Sequence, residues 1–308
     1  MGLMDAWKVV FYTVLAVFKF VVTLVAGDSI FFKEIKGDIV LVTGGGSGIG
    51  RLMCLKLAQR GAVIVTWDVN AKGNQETVSM IQKEGGKATA YTVDLTNKEQ
   101  VYKAADKVRQ EVGTVSILIN NAGVVSGSSI LDTSDSKIIQ TFDVNVLAHF
   151  WTIKAFLPAM LETRRGHIVT IASIAGQSGA NKLVDYCSSK FAAVGLNDSL
   201  TVELFRQGHS DYIKTTVVCP YVISTGMFAG VQSSLLPILE PKDVAERVVT
   251  GILSDQDMII IPGWTALTLV LKSMLPVKAM LWMSQAFGFN TAMDQFTGRL
   301  ADTSSKTK

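Results

Sequence analysis

Apolar and polar positions change rhythm along this chain in a regular way. From residue 37 onward, short β-branched and apolar runs alternate with longer stretches whose apolar positions recur every three to four residues. The short runs fall at 39–42, 63–67, 88–93, 117–119, 168–171, 214–218 and 258–261. They lack strict in–out alternation, which predicts strands buried on both faces. The longer stretches predict helices at 48–60, 71–84 and 97–112, then a long helical region ending near 161. Another helix runs to about 205, and one more follows Pro241. Such alternation predicts an α/β fold, a doubly wound parallel sheet with right-handed crossovers.

Two stretches break the rhythm. Residues 7–26 are almost wholly apolar, long enough to span a bilayer. Their polar neighbours Asp5, Lys8, Tyr12, Lys19 and Thr23 fall within a helical stripe of roughly 60°. Two readings stay open: a helix lying in the headgroup plane with its lysines in water, or a single span. The second stretch, 264–289, is rich in Leu, Met and Trp, but Lys272, Pro276 and Lys278 interrupt it. It cannot span. It predicts two short amphipathic pieces that cover a pocket or touch membrane.

Composition narrows the picture further. Hydrophobic residues make up 48% of the chain and charged residues 18%, so the apolar excess fits a membrane or lipid surface. A net charge of +3 without a basic run argues against a nucleic-acid partner. Cys54, Cys187 and Cys219 form no pairing or zinc spacing, and three lone thiols fit a reducing compartment. The three histidines, His149, His167 and His209, also lack metal-ligand spacing, so no metal is expected. Asn197-Asp198-Ser199 is a formal glycosylation sequon, but it falls inside a predicted helix and is expected to be unused.

Two motifs carry chemistry. The run Thr43-Gly44-Gly45-Gly46-Ser47-Gly48-Ile49-Gly50 follows a predicted strand and opens a predicted helix. Glycines there let backbone N–H groups approach a pyrophosphate at the positive end of the helix, the Rossmann-type arrangement. Asp68 ends the next strand, where a carboxylate hydrogen-bonds ribose hydroxyls and repels a 2′-phosphate. Arg51 is the one nearby base and is expected to point along its helix, so NAD is favoured over NADP. Asp94, just past the third strand, is placed beside the adenine or reads as a helix-entry acid.

The second motif is Tyr186 and Lys190, four residues apart and so on one helical face, with Ser173 thirteen residues upstream. A tyrosine of pKa about 10 is a poor base at neutral pH. The lysine ammonium and an oxidised nicotinamide both favour phenolate, and the serine ends a strand at the carboxyl edge of the sheet. Glycine turn and tyrosine pair together point to hydride transfer to or from an alcohol carbon.

With these residues in view, the chain resembles the short-chain dehydrogenase/reductase family over about 37–261. Asn120-Asn121-Ala122-Gly123 matches the segment that borders the cofactor in that family. Asn145 matches the asparagine of the family's Asn-Ser-Tyr-Lys tetrad. Pro220 to Thr225 matches the segment where the threonine meets the nicotinamide, although Tyr221 replaces the usual glycine. The resemblance implies that Thr43, Gly44, Ser47, Gly48, Ile49, Gly50, Asp68, Asp94, Asn121, Ala122, Gly123, Tyr186, Lys190, Pro220 and Thr225 meet the cofactor.

Thr66-Trp67-Asp68-Val69-Asn70, Val146-Leu147-Ala148-His149-Phe150-Trp151, Lys154-Ala155-Phe156-Leu157-Pro158 and Asp185-Tyr186-Cys187-Ser188-Ser189-Lys190-Phe191 resemble a narrower, membrane-associated branch. It holds retinol dehydrogenases of the epidermal and type 10 kinds and lipid-droplet 17-beta-hydroxysteroid dehydrogenases. This implies NAD-linked oxidation of a lipophilic alcohol, retinol or a steroid, by a homodimer on endoplasmic reticulum or lipid droplets. Met227, Phe228, Leu235, Leu236, Ile238 and Leu239 would make an apolar lid for such a ligand. A carbonyl reductase using NADPH, and a droplet coat protein that keeps the fold, are the alternatives. The expected organisation is a membrane-associating segment at 1–27, a linker at 28–36, the dehydrogenase domain at 37–262, and an apolar cap with polar tail at 263–308.

Overall fold

The computed structural model describes residues 3–233 and 237–298. Leu235, Leu236 and the tail beyond 298 lie outside the described residues, as do the side chains of Asp5 and Lys19. Seven strands form one parallel sheet: β1 Ile39–Thr43, β2 Val63–Asp68, β3 Lys87–Thr92, β4 Val115–Asn120, β5 Gly166–Ile171, β6 Ile213–Pro220 and β7 Met258–Ile261. Their order is β3-β2-β1-β4-β5-β6-β7. The order reverses between β1 and β4, which opens a crevice at the carboxyl edge.

Helices cover both faces, as the uniformly apolar strands require. Helix α1 is Leu3–Ala26, and α2 Gly48–Gln59, α3 Ala71–Lys83 and α4 Lys98–Glu111 follow β1, β2 and β3 in turn. α5 Asp135–Phe142 and α6 Ala148–Glu162 lie between β4 and β5. α7 Val184–Arg206 follows β5, and α8 Pro241–Leu253 precedes β7. Val40, Val42, Ile64 and Ile119 pack on one side with Met53 and Leu57 of α2 and Val244 and Val248 of α8. Leu41, Val65, Trp67 and Leu118 pack on the other side with Val101 of α4 and Phe156 of α6. The core is therefore two apolar layers sandwiching the sheet.

Two local features add to the simple pattern. The predicted long helix before residue 161 is broken by a π-helical turn at Asp143–Leu147, which carries Asn145. The whole run 135–162 is apolar enough to cross a membrane, but half of its most apolar window is buried in the domain, as for a core helix. A 3-10 turn at Asp28–Phe31 leads into chain that docks on the domain. There Ile35 is buried, and Lys33 Nζ donates to Asp255 Oδ1 at 2.6 Å and sits 2.6 Å from His167 Nδ1.

After β7 the chain forms α9 Ala266–Met274 and α10 Val277–Ala286, split at Pro276. These are the two short pieces expected from the interrupted apolar run. Leu267, Val270, Met274, Val277, Leu281 and Trp282 on them are exposed, as are Val9, Val10, Phe11, Val14, Val17 and Phe18 of α1.

Candidate active site

The nucleotide side of the crevice is assembled by the backbone. Gly44 and Gly48 adopt φ of 67° and 54°, which side-chain-bearing residues avoid. Gly50 has no room for a side chain: a Cβ there would lie 2.2 Å from the Gly44 carbonyl oxygen. Asn121 joins the turn to the end of β4, its Nδ2 donating to Thr43 O at 2.8 Å and Gly44 O at 3.3 Å. Thr43 Oγ1 accepts from the N–H groups of Asn121 and Ala122 at 2.9 and 3.1 Å. Helix α2 starts at Gly48, and Gly48, Ile49 and Gly50 line the crevice, so its positive end faces an anion placed there.

Asp68 is held in place at the end of β2. Its Oδ2 accepts from Gly46 N and its Oδ1 from Asn70 N, both at 2.9 Å. Asp94 Oδ1 accepts from Thr96 N at 2.9 Å and Thr96 Oγ1 at 2.8 Å, which orders the turn after β3 at the cavity edge. Arg51 differs from expectation. It does not run along α2 but turns across to α3, donating to Gly46 O, Gly73 O, Thr77 Oγ1 and Glu76 Oε2. Two carbonyls, a hydroxyl and a carboxylate gather there, and the forked guanidinium donates to all four.

The chemical side converges on the same crevice from β5 and α7. Ser173 follows β5, and its Oγ accepts from Ala175 N at 3.1 Å and donates to Pro220 O at 3.4 Å. Tyr186 lies in the first turn of α7 and is buried, lining the same cavity as Ser173. One turn on, Lys190 Nζ donates to Ile171 O at 2.8 Å and lies 5.7 Å from the Tyr186 ring centroid. Burial pulls this amine down to about 8. Burial also raises the Tyr186 phenol, and the nearby Ser173 hydroxyl only partly opposes that. That rise is what the lysine ammonium and the positive ring of an oxidised nicotinamide, expected to act together, have to counter.

Asn145 sits behind the cavity wall. Its Oδ1 accepts from Val124 N at 2.9 Å, and its Nδ2 donates to Val124 O and Ser189 Oγ, both at 3.0 Å. A Cβ on Gly123 would lie 3.4 Å from Asn145 Oδ1 and 3.7 Å from Lys190 Nζ, so the bare glycine separates the two. Apart from Thr43 and Asn145, every residue anticipated for catalysis or cofactor binding lines one cavity of about 1390 Å³.

The far half of that cavity has mostly apolar walls. Met227 and Phe228 of the expected lid line it, with Trp264, Leu271, Met280 and Leu281 from the C-terminal pieces, but Ile238 and Leu239 do not, Leu239 being bonded to 222–224 and packed against the core instead. Phe228 meets the Tyr186 ring edge-on at 5.6 Å and Phe296 at 6.4 Å. Sequence reasoning missed the return of 289–298 to this site. Met293 packs in one buried cluster with Tyr186 and Val231. Thr297 N donates to Ala229 O at 2.9 Å, Gln232 N to Ala292 O at 3.0 Å, and Lys182 pairs with Asp294 at 2.7 Å. No motif or periodicity marked that segment.

A strand-end glycine crevice joined to a buried serine, tyrosine and lysine defines a nicotinamide-dependent oxidoreductase site on a doubly wound sheet. The family profile described as short chain dehydrogenase matches residues 38–235. Epidermal retinol dehydrogenase 2 of Homo sapiens is 50% identical over 268 residues, 86% of this chain and 86% of that protein. Estradiol 17-beta-dehydrogenase 11 of Mus musculus is 47% identical over 246 residues, 80% of this chain and 82% of that one. A short chain dehydrogenase/reductase from Burkholderia phymatum, solved in complex with NAD, superposes with TM-score 0.72 at 27% identity, covering 78% of this chain and 94% of its own. A metagenomic short-chain oxidoreductase solved with NADP gives TM-score 0.63 at 27% identity, covering 74% of this chain and 98% of its own. The chain belongs to the short-chain dehydrogenase family and is an enzyme of that family.

Proposed function

We propose that this protein uses NAD to oxidise a lipophilic alcohol, all-trans-retinol or a 17-beta-hydroxysteroid, at the cavity shared by Ser173, Tyr186 and Lys190. The observation that carries this reading is the contact between the two halves of that cavity at Tyr186: glycine crevice on one side, apolar walls on the other. When bound, NAD supplies the hydride acceptor. Ser173 Oγ holds the substrate oxygen, and the Tyr186 phenolate takes its proton. Lys190 supports the phenolate, helped by the positive ring of the oxidised cofactor, against the opposing effect of burial. Asn145 positions the main chain at Val124 beside them.

NAD is preferred to NADP because Asp68, fixed by two backbone N–H groups, places a negative charge where a 2′-phosphate would sit. Arg51 is bound to four other acceptors and offers that phosphate little. The exposed apolar surfaces of α1, α9 and α10 suit attachment to the endoplasmic reticulum membrane or a lipid droplet. The exposed Leu147, Phe150, Val202 and Phe205 on and beside α6 and α7 suit a homodimer. A panel of retinol, estradiol and long-chain alcohols, offered with NAD and with NADP to detergent-solubilised protein, tests the reading. We expect NAD-linked turnover that falls at least about a thousandfold in Tyr186→Phe. Undiminished turnover by that variant refutes the role given to the phenol.

A further inference from the structure

Between the sheet and helices α6 and α7 lies a buried polar cluster that the proposed reaction does not use. Asn120 and Thr170 are register partners at the ends of β4 and β5. By strand alternation they share the sheet face of Leu118 and Ile168, the face that packs against α6. His149 and Thr152 belong to α6, and Asn197 to α7, two turns beyond Lys190. Each of these five residues is at most 3% exposed. Thr152 Oγ1 donates to Asn120 Oδ1 at 2.8 Å. Beyond that bond the cluster is short of partners. Among the described residues, nothing bonds Asn120 Nδ2, Thr170 Oγ1, Asn197 Oδ1 or either ring nitrogen of His149.

Buried polar atoms are almost always paired, so a concentration of orphans calls for a reason. Internal water is the usual partner and typically makes about three hydrogen bonds. A leucine at position 149 would avoid the penalty altogether. Lys190 borders the cluster: it reaches Ile171 O, next to Thr170, and after burial its charge is the cause that holds His149 down, at about 3. His149 is thus neutral at working pH, one ring nitrogen donating and the other accepting. The other titratable groups facing the amine are Tyr186 on its own helix and Cys219 on β6, while β5 supplies only the Ile171 carbonyl.

We propose that His149, Asn120, Thr170 and Asn197 jointly hold buried water behind Lys190, and that His149 is a positioning residue for that amine, keeping its ammonium form solvated from the side away from the substrate. The inference rests on the dehydrogenase reading above. Burial brings Lys190 to about 8, close to physiological pH. Water seated on His149 opposes that pull. Without it the amine loses its charge at lower pH, and the phenol loses its positive partner.

The test uses full-length protein in detergent, with NAD and an alcohol that the wild type oxidises. In His149→Leu we expect the alkaline limb of the kcat profile to move about one unit toward lower pH, with kcat down severalfold near pH 8 and approaching about tenfold well above the limb. KM for NAD and for the alcohol stays within about twofold. His149→Asn keeps a donor and an acceptor and restores most of the loss. A high-resolution crystal structure of the wild type shows water bonded to His149. An unchanged pH profile in His149→Leu, or a cluster without ordered water, overturns the proposal. Should His149→Leu fail to fold, Thr170→Val and Asn197→Leu give a smaller shift in the same direction, and an unmoved limb in both counts against it. A wild type that oxidises no alcohol with NAD defeats the dehydrogenase reading instead, and the water density still decides the hydration claim.

Discussion

The two halves of the cavity are built from different materials. On the nucleotide side the wall is the backbone turn 44–50, fixed by two side chains, the strand-end carboxylate of Asp68 and the carboxamide of Asn121 tying β4 to β1. On the substrate side the walls are side chains, Phe228, Met280, Met293 and Trp264, drawn from segments far apart in sequence. The first half tolerates almost no added atom. The second is filled by apolar groups that can exchange for one another while preserving volume. A dinucleotide's shape is constant, so close backbone approach suits it. A lipophilic substrate needs only a dry, adaptable enclosure.

Substitutions can break or sharpen that contrast. The largest effect is expected at Gly50→Ala, whose Cβ would meet Gly44 O at 2.2 Å and Asn121 Nδ2 at 2.6 Å. NAD binding should weaken more than about a hundredfold and stability fall by about 3 kcal/mol, read by NAD titration and thermal melting. Near-normal NAD affinity would show that the turn is softer than its contacts suggest. Asp68→Ala comes next. It should raise the NAD KM about tenfold and narrow or reverse the preference over NADP, because both the ribose acceptor and the Gly46 anchor are lost.

Gly230→Ala probes whether the substrate half has a rigid joint of its own. Gly230 has φ 83°, and a Cβ there would sit 2.0 Å from Gln295 O, where 289–298 crosses the lid. The alcohol KM should rise severalfold while the NAD KM stays put. If NAD binding falls equally, the halves are not separable. The smallest effect concerns pH. His149 is held at about 3 and His167 well below its ordinary value, both by burial first. Below about pH 6.5 the unfolded chain takes up protons that the folded chain refuses. Stability is therefore full above that pH and is lost as pH falls, by about 1 kcal/mol per histidine over the first unit. Urea titrations at pH 7.5 and 5.5 check this, and a flat result would mean that both rings find partners on protonation.

Legibility followed the same division. The strands were readable because burial on both faces demands unbroken apolar runs. Gly44, Gly48, Gly50, Asp68, Tyr186 and Lys190 were readable because few other residue types meet their geometric demands at those spacings. The π turn at 143–147 was not, since Asp-Val-Asn-Val-Leu suits an α-helix equally well. Nor was the docking of Lys33 on Asp255 and His167, whose partners lie 222 and 134 residues away. The course of Arg51 and the upward shift of the Tyr186 phenol escaped for a related reason. Both depend on what lies within a few ångströms, and one-dimensional spacing says nothing of desolvation.

Order along the chain was enough to determine the sheet, the crevice at its reversal, and the identity of the groups that gather there. Backbone stereochemistry and periodic burial are local properties, and local properties are written in neighbouring residues. Tertiary structure alone decided that 289–298 closes over Tyr186, that Asn145 supports Val124 from behind, and that unpaired polar groups collect beside Lys190. Those outcomes depend on distances between segments remote in sequence, which only the packed molecule sets.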